Sequence, residues 1–480
     1  MAGSCAVGRG EQGGVRPRVV LAIVAAAAFF LSIGLTFVNV ALPDIGDRFS
    51  ASPPDLAWVV DAYTVALTGL LIPGAAVAER FGRRQVFITG LCLFTASSVA
   101  CGVAMSLEVM LAGRVAMGVG AGMMLAPAMA ITAMAFAPGN RAGALATWAS
   151  AGALGLALGP VVGGVVVGTI GWRWAFLLPV PLLLVAAATA VRILPVGRGP
   201  EGVPLDTWGA GLSLVALVPL VAALIEGPRV GWTSPWVIGG LAAGVLLLAG
   251  FVVRELMARH PAFDVRALRH PSVAGASLVL FASYVAFMGV LFLVTLELQQ
   301  VAGVTPIEYG LLLLPMSVAY WVMSRVGARV AARGRSAVAV TTGLVAVVAS
   351  FALPAFAPPA PGWSVPALIL MGVGGGLLVP VASAAVLDAL PAVSLGTSSA
   401  LSVVPRFTGG AVGVAIIASA VSATSAPAGA TLEDGLTAGY RAGGITALVL
   451  AVTAGLLLAR GRHLVERPTG RVDDPGIYLG

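Results

Sequence analysis

The 480-residue sequence contains no lysine: every one of its 27 basic residues is arginine. Without lysine there is no Gly-Lys-Ser phosphate-binding loop, which excludes ATP hydrolysis within this chain as an energy source. Charge of either sign is scarce, at 10% of residues, where soluble domains carry about 25%. With 59% hydrophobic residues and a mean hydropathy of +1.01, the chain has too little polar surface to cover a soluble core. Its three cysteines (Cys5, Cys92 and Cys101) form neither a disulfide framework nor a metal-binding spacing. Two of them share one apolar block and read as buried thiols. His260, His270 and His463 also lack ligand spacing, so no metal or cofactor is expected. No enzymatic motif and no nucleic-acid-binding feature stands out. Arginine without lysine, in an Ala- and Gly-rich chain, points to a GC-rich bacterial genome.

What the chain does have is apolar blocks of about 20 residues, the length that crosses a hydrocarbon core roughly 30 Å thick. They lack the alternation of barrel strands and read as helices, so the fold class is an all-α membrane protein. Spans are expected to start near Val19, Leu56, Val86, Ser106, Ala142, Ala175, Thr207, Pro235, Ser272, Tyr309, Ala337, Val365, Ala400 and Tyr440, about fourteen in all. The first, Val19 to Pro43, follows Arg9, Arg16 and Arg18 as a secretory signal would. It exceeds an h-region of about 7–15 residues and has no convincing cleavage site, so it is read as retained. With fourteen spans, Arg48, Arg173, Arg229 and Arg441 fall on one side, Arg114 and Arg406 fall within helices, and the remaining 21 arginines fall on the other side. The positive-inside rule then puts both termini in the cytoplasm, with the chain in a bacterial inner membrane.

An internal repeat organises these spans. Met117-Gly-Val-Gly-Ala-Gly-Met-Met-Leu-Ala-Pro127 recurs as Met371-Gly-Val-Gly-Gly-Gly-Leu-Leu-Val-Pro380. Gly155 and Gly159 correspond to Gly409 and Gly413 at the same offset, and the loop Ala75 to Arg83 corresponds to Gly327 to Arg335 at nearly that offset. The domain reading is a six-helix bundle at 19–195, an inserted helix pair at 207–254 and a second bundle at 272–460, with cytoplasmic tails at 1–18 and 461–480. Two pseudo-symmetric halves with substrate between them are the architecture of rocking transporters.

Several motifs carry chemistry. Glu79-Arg80-Phe-Gly82-Arg83-Arg84 is a charged loop with a glycine for its turn, suited to bridging helix ends and holding one conformation; a plain cytoplasmic anchor is the simpler reading. Gly155-Leu-Ala-Leu-Gly159-Pro160-Val-Val-Gly163-Gly164 lets a second helix approach closely, and Pro160 frees a carbonyl and bends the span. Arg114 sits mid-span and needs an acid or a wet cavity; Asp61, at a compatible depth in span 2, is the candidate partner for proton or substrate coupling. A static ion pair is the alternative. Glu297, at the outer end of span 9, is the second coupling candidate or an interfacial residue in solvent. Asp388 is a candidate partner for Arg406, and Trp172, Trp174, Trp232 and Trp236 read as interfacial anchors.

These residues carry a resemblance. Asn39-Val-Ala-Leu-Pro43, Trp58 to Tyr63, Glu79 to Arg84, Arg114 to Gly120, Gly155 to Gly164 and Gly171-Trp-Arg-Trp-Ala-Phe176 together resemble the major facilitator superfamily, and within it the fourteen-helix drug:proton antiporters. The resemblance implies export of a drug, antibiotic or amphipathic metabolite by proton antiport, driven by the proton gradient and carried out by a monomer in the bilayer. A metabolite symporter or facilitator, or a non-transporting membrane sensor, is the alternative. The family's acid in span 1 falls here on Gly34, and its Gln beside the span 4 arginine falls on Met117.

Overall fold

The computed structural model describes residues 17–136, 141–194, 209, 211–212, 215–258, 265–356, 361–388, 395–425 and 431–465. Gly3, Cys5, Arg9, Arg16, Thr207, His260, Asp264 and Gly480 lie outside the described residues. The described chain is helical: α1 Pro17–Phe49, α2 Pro53–Phe81, α3 Arg83–Gly102, α4 Leu107–Ala135, α5 Arg141–Ile170, α6 Trp172–Leu177, α7 Val180–Ile193 and α8 Leu217–Val230. There follow α9 Pro235–Met257, α10 Pro271–Thr295, α11 Pro306–Leu312, α12 Leu314–Ala332, α13 Ser336–Phe356, α14 Ser364–Asp388, α15 Leu395–Ser425 and α16 Leu432–Val465. A π-helical turn, Leu296–Val301, extends α10.

Helix starts are set by local chemistry. The Asp55 carboxylate accepts from both the backbone N–H and the hydroxyl of Ser52, at 2.9 and 2.6 Å, ahead of Pro53 and Pro54. Thr305 and Glu308 repeat this arrangement around Pro306 at the start of α11. Such boxes satisfy N–H groups that a helix start leaves without partners. Thr431 and Asp434 build a third, which starts α16 at Leu432, two turns before the expected Tyr440. Spans 6 and 10 are each broken, at Pro179 and Leu313, because Pro179 and Pro315 cannot donate to the carbonyl a turn earlier.

Among the described residues, eleven helical stretches are long and apolar enough to cross a membrane, or twelve if the bent α5 counts as one span. That count leaves out α2 and α8, the latter described over only 14 residues, and so does not confirm the expected fourteen. Within the N-terminal bundle α1 packs on α5 and α2 and α3 on α4; within the C-terminal bundle α10 packs on α15 and α12 and α13 on α14. The repeat is visible in backbone contacts. A Cβ added at Gly155 would lie 2.3 Å from the Phe29 carbonyl oxygen, and one at Gly409 would lie 2.3 Å from that of Phe281. Gly118 against Tyr63 and Gly372 against Met316 form a second such pair. Small residues thus let backbones touch where bulkier ones would hold the helices apart. Across the bundles, α2 meets α15 and α5 meets α11, while α8 rests against both α2 and α15. Large apolar side chains such as Trp236, Leu246 and Phe356 are exposed, as a lipid-facing surface requires.

Candidate functional site between the bundles

Arg114 is fully buried in α4. The backbone contact of Gly118 with Tyr63 brings α4 close enough for the guanidinium to reach its neighbours' carbonyls. Its Nε donates to the Val59 carbonyl of α2 at 2.8 Å, and one Nη donates to the Gly34 carbonyl of α1 at 3.2 Å. The guanidinium carbon lies 4.6 Å from the centre of the Tyr63 ring, whose hydroxyl donates to the Leu31 carbonyl at 3.1 Å. Arg114 thereby pins three helices together, and one of its contacts is the backbone of the glycine that stands where the family resemblance places an acid.

The expected Arg114–Asp61 ion pair is not formed. Asp61 is completely buried, yet neither carboxylate oxygen has a hydrogen-bond partner. The reason is angular: Asp61 and Tyr63 are two residues apart, about 200° around a helix of 3.6 residues per turn, so a side chain held on Tyr63's face cannot meet Asp61. Asp61 shares its own face with the buried Thr64 and Thr68, and the Thr64 methyl is 3.9 Å from the Cβ position of Gly410 on α15. That face points to the seam between the two bundles. Arg114 and Asp61 remain within electrostatic range of each other.

Helix α5 has two working faces. Cβ atoms at Gly155 and Gly159 would collide with Phe29 and Thr36 of α1, and one at Gly163 would press on Phe37. A Cβ at Gly164 would collide with the Pro306 carbonyl and Gly310 of α11, and one at Gly310 would press on the Pro160 carbonyl. The helix bends by 43° between 150–156 and 158–170. Pro160 has no N–H for the Leu156 carbonyl one turn earlier, and the Thr36 hydroxyl donates to that carbonyl instead, at 3.3 Å.

The charged loop joins helices of the N-terminal bundle. Gly82 turns the chain at φ 103°, a region that side chains disfavour. Arg83 donates to the Met134 sulfur of α4 at 3.3 Å, Arg84 donates to the Val191 carbonyl of α7, and Arg80 lies over the Phe81 ring. Glu79 has no ion pair within 4 Å among the described residues. Glu297 occupies the π-helical turn after α10, half-buried, where its carboxylate accepts a hydrogen bond from the Tyr440 hydroxyl of α16. Arg406 bonds the Tyr284 hydroxyl rather than an acid, and the side chain of Asp388 is outside those described. Trp172 is buried against Phe49 and Phe176, not an interfacial anchor, because the turn at Gly171 folds it inward. Glu226 of α8 accepts from the Trp58 indole at 3.1 Å and lies 3.8 Å from Arg229, which is itself 3.6 Å from Asp55.

Residues 24–414 match the family description Major Facilitator Superfamily. The chain belongs to the major facilitator superfamily. Among relatives in this family, a methylenomycin A resistance protein of Streptomyces coelicolor is 30% identical over 89% of this chain and 90% of its own. One of the same name from Bacillus subtilis is 30% identical over 83% and 86%. The multidrug efflux pump LfrA of Mycolicibacterium smegmatis is 28% identical over 93% and 91%. Of solved structures, the POT family transporter PepTSo aligns over 92% of this chain and 99% of that one, with a TM-score of 0.66 and 14% identity, which shows a common fold.

Within this superfamily fold, sequence reasoning missed Thr36, Tyr284 and Tyr440. Thr36 was discoverable, since a proline inside a packed span leaves a carbonyl that a neighbouring helix must satisfy. The tyrosines left no comparable local signal, because their partners are 122 and 143 residues away in the chain.

Proposed function

We propose that this protein exports a small organic compound in exchange for protons, presenting a site between its two bundles alternately to each side of the membrane. The observation that carries the reading is Asp61: a fully buried carboxylate with no hydrogen-bond partner, facing the seam. An ionised carboxylate so placed is costly unless a cation, water or proton reaches it, so a change in its surroundings as the bundles move would change its proton occupancy. The Gly164–Gly310 crossing of α5 and α11 supports a closed external face, since backbone-to-backbone contact leaves no passage there. The names of the relatives, which refer to methylenomycin and to multidrug efflux, support an antibiotic or drug-like substrate. On this reading 19–195 and 272–460 are the moving bundles, 207–254 is the insertion, and a monomer suffices because one chain supplies both bundles. The Arg-rich side faces the cytoplasm of a bacterial cell, with both termini there.

The test is transport in proteoliposomes with and without an imposed pH gradient. Asp61→Asn should abolish gradient-driven accumulation and retain downhill exchange, whereas Arg114→Ala should impair both. Full gradient-driven accumulation by Asp61→Asn would sink the assignment and shift attention to Glu297.

A further inference from the structure

Arg406 is another cation within a span, and its surroundings differ from those of Arg114. It lies five residues, about 8 Å, into the apolar stretch Leu401–Thr424 of α15, and so inside the span. No carboxylate lies within 4 Å of it among the described residues. Asp388 ends α14, and its side chain lies outside those described. The guanidinium carbon lies 4.7 Å from the centre of the Tyr284 ring, and one Nη donates to the Tyr284 hydroxyl. Its Nε is enclosed and has no hydrogen-bond partner. Phe287 and Phe407 pack on Tyr284 at 6.1 and 6.2 Å between ring centres, and Tyr320 packs on Phe287 at 6.4 Å.

This group faces the seam. Gly410, one turn along α15 from Arg406, is the residue whose Cβ position approaches Thr64 of α2, and the same position is 3.1 Å from Met288 of α10. The side chain of Arg406 is only partly buried. A guanidinium that cannot be deprotonated, held inside a span with an orphan N–H and no carboxylate within 4 Å among the described residues, is open to an anion that would balance it. Arg114 also has one enclosed Nη without a hydrogen-bond partner, and differs in that Asp61 lies within electrostatic range and its Nε is bonded to a carbonyl.

We propose that Arg406 and the aromatic rings around Tyr284 form the substrate subsite of the C-terminal bundle, and that it takes an anion on an aromatic or other planar apolar body. The guanidinium fork pairs with a carboxylate or enolate oxygen, and the rings cover the apolar body. Discrimination comes from the missing counter-ion: a neutral analogue leaves Arg406 unbalanced, and a cation is repelled.

This inference rests on the export reading but is tested by equilibrium binding, which needs no gradient. Benzoate, 2-naphthoate and indole-3-carboxylate, each paired with its primary amide, would be titrated against the full-length protein in detergent and followed by tryptophan fluorescence. At least one acid should bind tenfold or more tighter than its amide. Arg406→Gln should remove that preference and Arg406→Lys should retain part of it, with thermal melting used to confirm that both variants fold. If Arg406→Gln does not fold, the comparison of Arg406→Lys with the wild type decides: a weakened preference supports the subsite, and an unchanged one overturns it. Acids that bind no better than their amides, or a preference untouched in Arg406→Gln, also overturn it. Loss of coupling in the proteoliposome assay with the acid preference intact would instead count against the proton-antiport reading.

Discussion

The Thr36 hydroxyl of α1 donates to the Leu156 carbonyl of α5, the carbonyl that Pro160 leaves without its helical partner. Gly159 lies beside this bond, and a Cβ there would sit 2.0 Å from the Thr36 oxygen. The glycine, the proline and the threonine form one device: the proline bends α5, the threonine satisfies the bend, and the glycine makes room for it.

Thr36→Val should therefore cost about 1–2 kcal/mol, the usual penalty for orphaning a buried acceptor, while Thr36→Ser keeps the donor. Gly159→Ala should do more damage than Thr36→Val, and Gly159→Leu should abolish transport while leaving the protein inserted. Thermal unfolding in detergent and transport assays on the same preparations check this. Equal stability of Thr36→Val and Thr36→Ser would dismiss the bond.

Arg114 holds α1 and α2 through two carbonyls from two different nitrogens. A lysine ammonium in its place cannot reproduce that fork, so Arg114→Lys should lose about 1–3 kcal/mol of stability as well as transport. If Arg114→Lys behaves like the wild type in both, Arg114 serves only as a point charge.

The α5–α11 crossing makes a cross-linking prediction. A Cβ at Gly168 would lie 2.5 Å from the Ile307 side chain. The double variant Gly168→Cys and Ile307→Cys should form a disulfide on mild oxidation, lose transport and regain it on reduction. Oxidised protein that still transports would show that this contact need not open.

Orientation is checked by reporter fusions. Fusions at Gly3 and at Gly480 should both report the cytoplasm, as the distribution of arginine requires. Opposite compartments would mean a span count wrong by an odd number.

The placement of most helices was legible because hydrophobic length and the repeated glycine motif are local properties. The helix starts were partly legible: Ser52-Pro-Pro-Asp55 and Thr305-Pro-Ile-Glu308 are capping boxes that can be read as strings. Thr431 to Asp434 is a third, and overlooking it displaced the start of the last helix by two turns.

The sequence by itself determined that this chain lives in a membrane, that it is helical and duplicated, and that Asp61, Arg114 and the Gly155–Gly164 run are unusual for spans. Only the tertiary structure decided what those residues meet. Composition cannot say which way a side chain faces around a helix, and two residues of separation turned Asp61 away from Arg114 and toward the seam. Nor could local pattern show that Arg406 meets Tyr284 across 122 residues. Both outcomes depend on how α2, α4, α10 and α15 are rotated against their neighbours, and that rotation is set by close contacts at glycines such as Gly118 and Gly409, whose partners the chain reveals only once it has folded.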